Sequence, residues 1–307
     1  MMLFFISLIS FTVIHLAPNS FFASGELNPN ITQESIEYLK TIYNLNKPLY
    51  VQFFSWVFAI GQLDFGISFN SGELIKDEIL FRIPITLIIN IVGLILVFIS
   101  SLYLGLNAAF NKNSIFDKFA GQFSLLSFSM PSFYLTLLCV MFFSVWLEIL
   151  PIAGIYSLDD KTGLTYYLDI AWYLILPIAI ITFGGIGSLT LYIRFLTIEI
   201  LKSDYIFFAK ARGLNKKEIL RFYILPNLYP PIITLLGLSL SGIIGGSVIL
   251  ESIFSIDGMG LLFYLSALSH NYPVMMGILI IGAFSTLIGN MCTGLFLLKL
   301  NPNYAQN

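Results

Sequence analysis

The chain has 307 residues, 57% of them hydrophobic and only 10% charged, with a formal net charge of −2 and a mean hydropathy of +0.88. A soluble domain carries about 25% charged residues, so this composition excludes an ordinary water-soluble protein and describes one solvated mainly by lipid. The absence of a basic domain excludes nucleic-acid binding, and the two cysteines, Cys139 and Cys292, both inside apolar runs, read as packing residues rather than a disulfide or metal framework.

A membrane span needs about 20 largely apolar residues to cross roughly 30 Å of hydrocarbon. Residues 1–17 make a first, slightly short transmembrane helix. They lack a small-residue cleavage signature and run into Ala17-Pro18-Asn19, so the segment reads as retained rather than as a removed signal. The opening Met-Met-Leu-Phe has no basic flank, which is compatible with a start upstream of Met1. Residues 18–83, with Pro48, Trp56 and Asp64, form the one sizeable polar region and are predicted to fold against the membrane surface. Five further spans at 84–108, 119–149, 171–197, 228–253 and 274–298 complete a helical core over 84–300. The expected fold is therefore an all-α integral membrane protein of about six helices. Pro131, Pro177, the run Gly184-Gly185-Ile186-Gly187, Ser241-Gly242 and Gly245-Gly246 fall on several spans and favour a closely packed bundle that moves.

Basic residues orient the spans. With the N-terminus inside, the inner segments hold Lys112, Lys118, Arg194, Lys202, Lys210, Arg212, Lys216, Lys217, Arg221 and Lys299, which is 10 of the 15 Lys and Arg. The outer side holds the other 5, Lys40, Lys47, Lys76, Arg82 and Lys161. Both termini and residues 204–227 are then cytoplasmic. Four ionisable residues fall at span ends: His15 (first, outer), Glu148 (third, outer), Arg194 (fourth, inner) and Glu251 (fifth, outer). Interfacial snorkelling or a local pair is the expectation for these. The outer acids Asp64, Glu73, Asp77, Glu78, Asp159, Asp160 and Asp169 read mostly as solvated surface, and Met275-Met276 as packing.

The charged island at 204–227 reads as an ordered helix–turn–helix, not a slack linker. Tyr205 to Arg212 form a short helix, and Gly213 supplies its C-terminal turn, because glycine reaches positive φ cheaply. Asn215 caps a second helix with Glu218 at the third position, a capping box. Pro226 is expected to stop that helix. The predicted product is a knob with basic edges and an apolar face of Tyr205, Phe208, Leu214 and Leu220. Positive-inside topology needs only scattered lysines, so this much order favours docking of a partner.

The same stretch resembles the cytoplasmic coupling loop of permease subunits in binding-protein-dependent ABC importers. The loop pattern is Glu-Ala-Ala, three residues, Gly, nine residues, then Ile, any residue and Leu-Pro. Here those positions read Phe207-Phe208-Ala209, Gly213, Tyr223, Ile224 and Leu225-Pro226. Ala209-Lys210-Ala211-Arg212-Gly213-Leu214 is similar to the peptide and nickel branch, where the Glu is usually lost. Asn46-Lys47-Pro48-Leu49 with Leu63-Asp64-Phe65-Gly66-Ile67-Ser68 resembles the first external loop of dipeptide and oligopeptide permeases. Further matches are Arg82-Ile83-Pro84-Ile85-Thr86, Ser129-Met130-Pro131-Ser132-Phe133, Leu150-Pro151, Leu176-Pro177, Glu251-Ser252-Ile253-Phe254, Gly258-Met259-Gly260 and Asn271-Tyr272-Pro273.

The resemblance implies the type I importer permease fold in the bacterial inner membrane, with Ala209, Ala211, Arg212, Gly213, Leu214, Leu225 and Pro226 coupling to the ATPase. It implies a second permease, two ATPase subunits and an extracytoplasmic binding protein as partners. The cargo would be di- or oligopeptides, with nickel or a nickel chelate as the alternative. No Gly-x-x-x-x-Gly-Lys-Ser/Thr occurs, so the chain is expected to bind no cofactor, ATP and Mg²⁺ being used by the partner ATPases. Asn90, Ser127, Ser129, Thr190 and Ser239 are the polar candidates for the translocation path. A membrane enzyme would need a nucleophile–base pair or a His-Glu-x-x-His, and a secondary carrier inverted repeats or midplane carboxylates; the sequence supplies neither.

Overall fold

The computed structural model describes residues 4, 5, 7–9, 11, 12, 47–68, 70–157, 161–240, 242, 243 and 247–300. Within them the regular elements are helices, apart from one isolated antiparallel bridge between Ile67 and Leu74. In chain order they are α1 (Leu49–Gly61), α2 (Ile75–Phe110), α3 (Ile115–Ser129), α4 (Ser132–Trp146), α5 (Leu164–Leu201), α6 (Asp204–Ala211), α7 (Lys216–Leu240), α8 (Val248–Ile253), α9 (Met259–Leu268) and α10 (Tyr272–Leu300). Among the described residues four of these, α2, α5, α7 and α10, are long and apolar enough to cross a membrane, and the bent pair α3–α4 passes the same test only when the two are taken together as one broken span. Of the first expected span, the described residues 4, 5, 7–9, 11 and 12 are helical. His15, Lys40, Asp159, Asp160, Ser241, Gly245 and Gly246 lie outside the described residues.

Three expectations are corrected. The span placed at 119–149 is broken: α3 and α4 meet at 102°. Pro131 has no N–H to give and forces Met130 into extended backbone at φ −83, ψ 123. Of the span placed at 228–253, the helix ends at Leu240, the described Gly242 and Ile243 lie in a turn, and Val248 begins a separate short helix. Pro226 does not stop the second helix of the charged island. A π turn over Leu220–Ile224 widens the backbone just before the ring, and α7 continues through Pro226, Pro230 and Pro231.

The chain divides into two compact units, residues 1–87 with 244–287, and 88–243 with 288–307. In the first, Ile75, Ile79, Met259, Leu262, Val274 and Ile278 form the core. Here Glu251 is 1% exposed, not an interfacial snorkeller. Its carboxylate accepts from the N–H groups of Gly260 (2.7 Å) and Leu261 (3.2 Å) at the start of α9, and from the Thr86 hydroxyl (3.2 Å). Thr86 Oγ1 in turn accepts from the Met259 N–H at 2.9 Å. Arg82 pairs with Asp257 at 2.6 Å, and the Asn271 amide donates to Ser68 Oγ at 2.9 Å.

In the second unit α5 is the central helix. Gly187 lets α3 lie directly on it: a Cβ there would meet the Ser124 carbonyl oxygen and come within 2.9 Å of the Phe128 nitrogen. The Gly187 N–H donates to Ser127 Oγ at 3.1 Å, and the Ser127 hydroxyl donates to the Phe183 carbonyl. One side over, Gly185 admits Val97 of α2, whose Cγ2 would be 2.7 Å from an added Cβ. Arg194 is not a lone charge either. It grips the buried Asp117 carboxylate through Nε at 2.5 Å and Nη2 at 2.8 Å, tying the start of α3 to α5.

Candidate functional site: a docking knob and an uncharged cavity

The knob forms for local reasons. Asp204 lies in the first turn of α6, and the helix ends in a turn at Gly213, φ +82, where the Gly213 N–H bonds Lys210 O (2.9 Å) and the Leu214 N–H bonds Ala209 O (3.2 Å). Asn215 Oδ1 then accepts from the N–H groups of Lys217 and Glu218, both at 3.0 Å, and Glu218 Oε2 accepts from the Asn215 N–H at 2.7 Å. Both halves of the capping box are present.

Packing then chooses the inner face. Ile206, Ala209, Ile219 and Ile224 are buried. The three isoleucines share a core with Val97, Leu189, Ile193 and Leu228, and Leu214 and Leu220 pack at its margin. Tyr205 and Phe208, expected on that face, are 43% and 64% exposed. An eight-residue helix with apolar residues at 205, 206, 207, 208 and 209 offers two apolar stripes, and its own sequence does not choose between them. The outer surface therefore carries Phe207 and Phe208, ring centroids 5.9 Å apart, beside Lys210 and Arg212. Of the residues expected to couple, Ala209, Ala211, Arg212, Gly213 and Leu214 come together at the turn. Leu225 and Pro226 stand roughly 15 Å further along α7.

These caps yield a direct test. Replacing Gly213 by alanine puts a Cβ on a positive-φ residue, and Asn215→Ala removes the acceptor for two N–H groups. Each substitution is expected to cost about 1 kcal/mol of local stability. Hydrogen exchange of amides 205–219 in the purified protein should rise about fivefold in each variant; unchanged exchange would show that the caps do not hold the knob.

The same unit contains a cavity of about 620 Å³ walled by α2, α5 and α7. Its polar side chains are those of Asn90, Ser188, Tyr192 and Ser239, and its apolar wall includes Leu94, Phe98, Ile181 and Leu235; among the described residues no charged side chain lines it. The Asn90 amide donates to the Ile243 carbonyl at 3.3 Å. Two of the five expected path residues, Asn90 and Ser239, line this cavity. Ser127 and Thr190 are buried elsewhere, and Ser129 is exposed at the end of α3. Ser188 and Tyr192 line it unforeseen. The signal was available: Ile181, Gly185, Ser188 and Tyr192 recur at helical spacing on one stripe of α5, whereas Thr190 is about 200° around from Ser188.

A family profile described as binding-protein-dependent transport system inner membrane component matches residues 101–306, two thirds of the chain and all of this unit's α3 to α7. The chain belongs to this family. As an inner membrane component it is a multi-pass membrane protein, which accounts for the many outward-facing Leu, Ile and Phe side chains. It is 32% identical over 298 residues to the oligopeptide transport system permease protein AppB of Bacillus subtilis, covering 97% of this chain and 93% of that protein. Identity is 33% over 301 residues to the oligopeptide transport system permease protein OppB of Haemophilus influenzae, covering 98% and 94%. The dipeptide transport system permease protein DppB of Lactococcus lactis is 31% identical over 301 residues, with the same coverage. The resemblance read from the motifs is thereby established along nearly the whole chain.

Proposed function

We propose that this inner membrane component is the permease subunit of an ATP-driven importer of di- or oligopeptides. The observation that carries the reading is one shared core. Val97 and Leu189 line the cavity and pack in the same cluster as Ile206, Ile219 and Ile224 beneath the knob. Close-packed interiors transmit displacement rather than absorb it. A partner that moves the knob therefore moves a cavity wall.

In this reading both termini and the knob face the cytoplasm, where the basic residues are concentrated. Two ATPase subunits bind ATP and Mg²⁺, and one receives the knob; the chain itself binds no cofactor and catalyses nothing. A second permease supplies the other half of the path, and an extracytoplasmic binding protein delivers cargo. An uncharged wall suits peptides, whose varied side chains must pass without being held. The three relatives compared are peptide permeases by name, and among the described residues the wall offers no His, Cys or carboxylate to a nickel ion.

Ser188→Trp tests the reading. The side chain is exposed to the cavity, so the indole fills space without breaking the core. Cells carrying the variant in place of the wild-type gene should take up labelled dipeptide or tripeptide at least tenfold more slowly. Co-purification with the ATPase subunits should be unchanged. Undiminished peptide uptake would remove this cavity from the path, and loss of nickel rather than peptide uptake would change the cargo.

A further inference from the structure

The cavity of the second unit carries two hydroxyls to which the transport reading gives no role. Along the spans a hydroxyl commonly bonds back to the carbonyl four residues before it: Thr182 to Ile178 at 2.7 Å, Ser239 to Leu235 at 2.9 Å and Thr293 to Gly289 at 2.8 Å. Ser188 and Tyr192 of α5 line the cavity, and neither hydroxyl is hydrogen-bonded to another described residue. Both side chains are exposed, Tyr192 to 39%. Asn90, by contrast, already donates to the Ile243 carbonyl, and Ser239 is engaged by its own helix.

The spacing of the pair fits an extended chain. Four residues apart on one helix, Ser188 and Tyr192 share a face and stand about 6 Å apart along the axis. In an extended peptide the backbone groups that point one way recur every second residue, about 6.6 Å apart. Two successive groups of that kind therefore meet the two hydroxyls in register. A hydroxyl both donates and accepts, so it can serve a C=O or an N–H. From Ile181 to Tyr192 the cavity follows α5 for about 16 Å, the length of about five extended residues.

The rest of the wall gives cargo side chains nothing to select them. Leu94 and Phe98 of α2 and Leu235 of α7 are apolar, and among the described residues no charged side chain reaches the cavity. The peptide bond is the group that every peptide shares, and taking it out of water unpaired costs free energy that a hydroxyl partner offsets. We infer that Ser188 and Tyr192 are specificity-determining residues, which hydrogen-bond the backbone of an extended peptide in transit and leave its side chains unread. This rests on the reading of the chain as a peptide permease.

The test is uptake into proteoliposomes that hold the complete transporter with its binding protein. Labelled tetraalanine is compared with the same peptide methylated on all its amide nitrogens, which removes each N–H, obstructs the adjoining carbonyl and leaves the side chains unchanged. The wild type should take up tetraalanine about tenfold faster than the methylated form, and Ser188→Ala and Tyr192→Phe should each lower that ratio about fivefold, as expected for one hydrogen bond. Ser188→Thr, which keeps a hydroxyl, should hold the wild-type ratio. The binding protein is the same throughout, so a change of ratio belongs to the permease. An unchanged ratio in either variant would overturn the role of that residue, even if both peptides were slowed equally, which would make the hydroxyl part of a helix contact. No uptake of tetraalanine by the wild-type transporter would overturn the peptide reading and this inference with it.

Discussion

Glu251→Ala is expected to be among the most damaging single changes in this protein. The carboxylate is fully enclosed, and three donors converge on it: the N–H groups of Gly260 and Leu261 and the hydroxyl of Thr86. Two of these are orphan donors at the start of α9, a helix whose own N-cap, Gly258, has no side chain to offer them. Each buried donor left unsatisfied costs about 1–3 kcal/mol, and the vacated volume adds to that. The variant should reach the membrane at a small fraction of the wild-type level, and its melting temperature by size-exclusion after heating should fall by 10 °C or more. Gly258→Ala should behave similarly, because a Cβ there would run into the same carboxylate and Thr86 Oγ1. An unchanged melting temperature in Glu251→Ala would mean that the carboxylate does not organise the α8–α9 turn.

Gly187→Ala is the second. The added methyl would meet the Ser124 carbonyl oxygen and the Phe128 nitrogen, which are backbone atoms of α3 and cannot rotate away as a side chain can. Relief requires α3 and α5 to separate, which lengthens the Gly187 N–H to Ser127 bond and pulls on the Asp117–Arg194 pair. Overpacking of this kind costs about 1–3 kcal/mol, and in a bundle held by close helix contact the loss extends along the interface. Gly184→Ala supplies the control, since nothing lies within 4 Å of a Cβ at Gly184. The Gly187 variant should lose thermal stability while the Gly184 variant stays within a degree or two of wild type. Similar melting of the two would show that the α3–α5 contact is looser than drawn.

The comparison of these two glycines shows where reading the sequence stops. The run Gly184-Gly185-Ile186-Gly187 announces close packing, but its composition does not say which glycine faces which neighbour. The structure gives Gly187 to α3, Gly185 to α2 and Gly184 to neither. The helical phase that separates them becomes decisive only once the neighbours are in place. The break at Met130-Pro131 and the continuation of α7 through Pro226 have a similar origin. Both prolines lack an N–H, yet one turns the chain by 102° and the other is absorbed by a π turn.

What the sequence determined by itself is local or compositional. Hydropathy alone placed the membrane spans near α2, α5 and α10, because about 20 apolar residues have no other stable environment. The turn at Gly213 and the capping box at Asn215 and Glu218 were readable because each is made within a few residues of backbone. Tertiary structure decided everything that depends on distant segments meeting. Ser68 with Asn271, and Thr86 with Glu251, are motif residues 203 and 165 positions apart, Arg82 of a motif meets Asp257 175 positions away, and each pair is joined by a hydrogen bond or ion pair in the first unit. The inner stripe of α6 and the polar residues of the cavity were fixed in the same way. A side chain's role in a bundle depends on which neighbour its face meets, and that neighbour is supplied by the fold rather than by the adjoining residues.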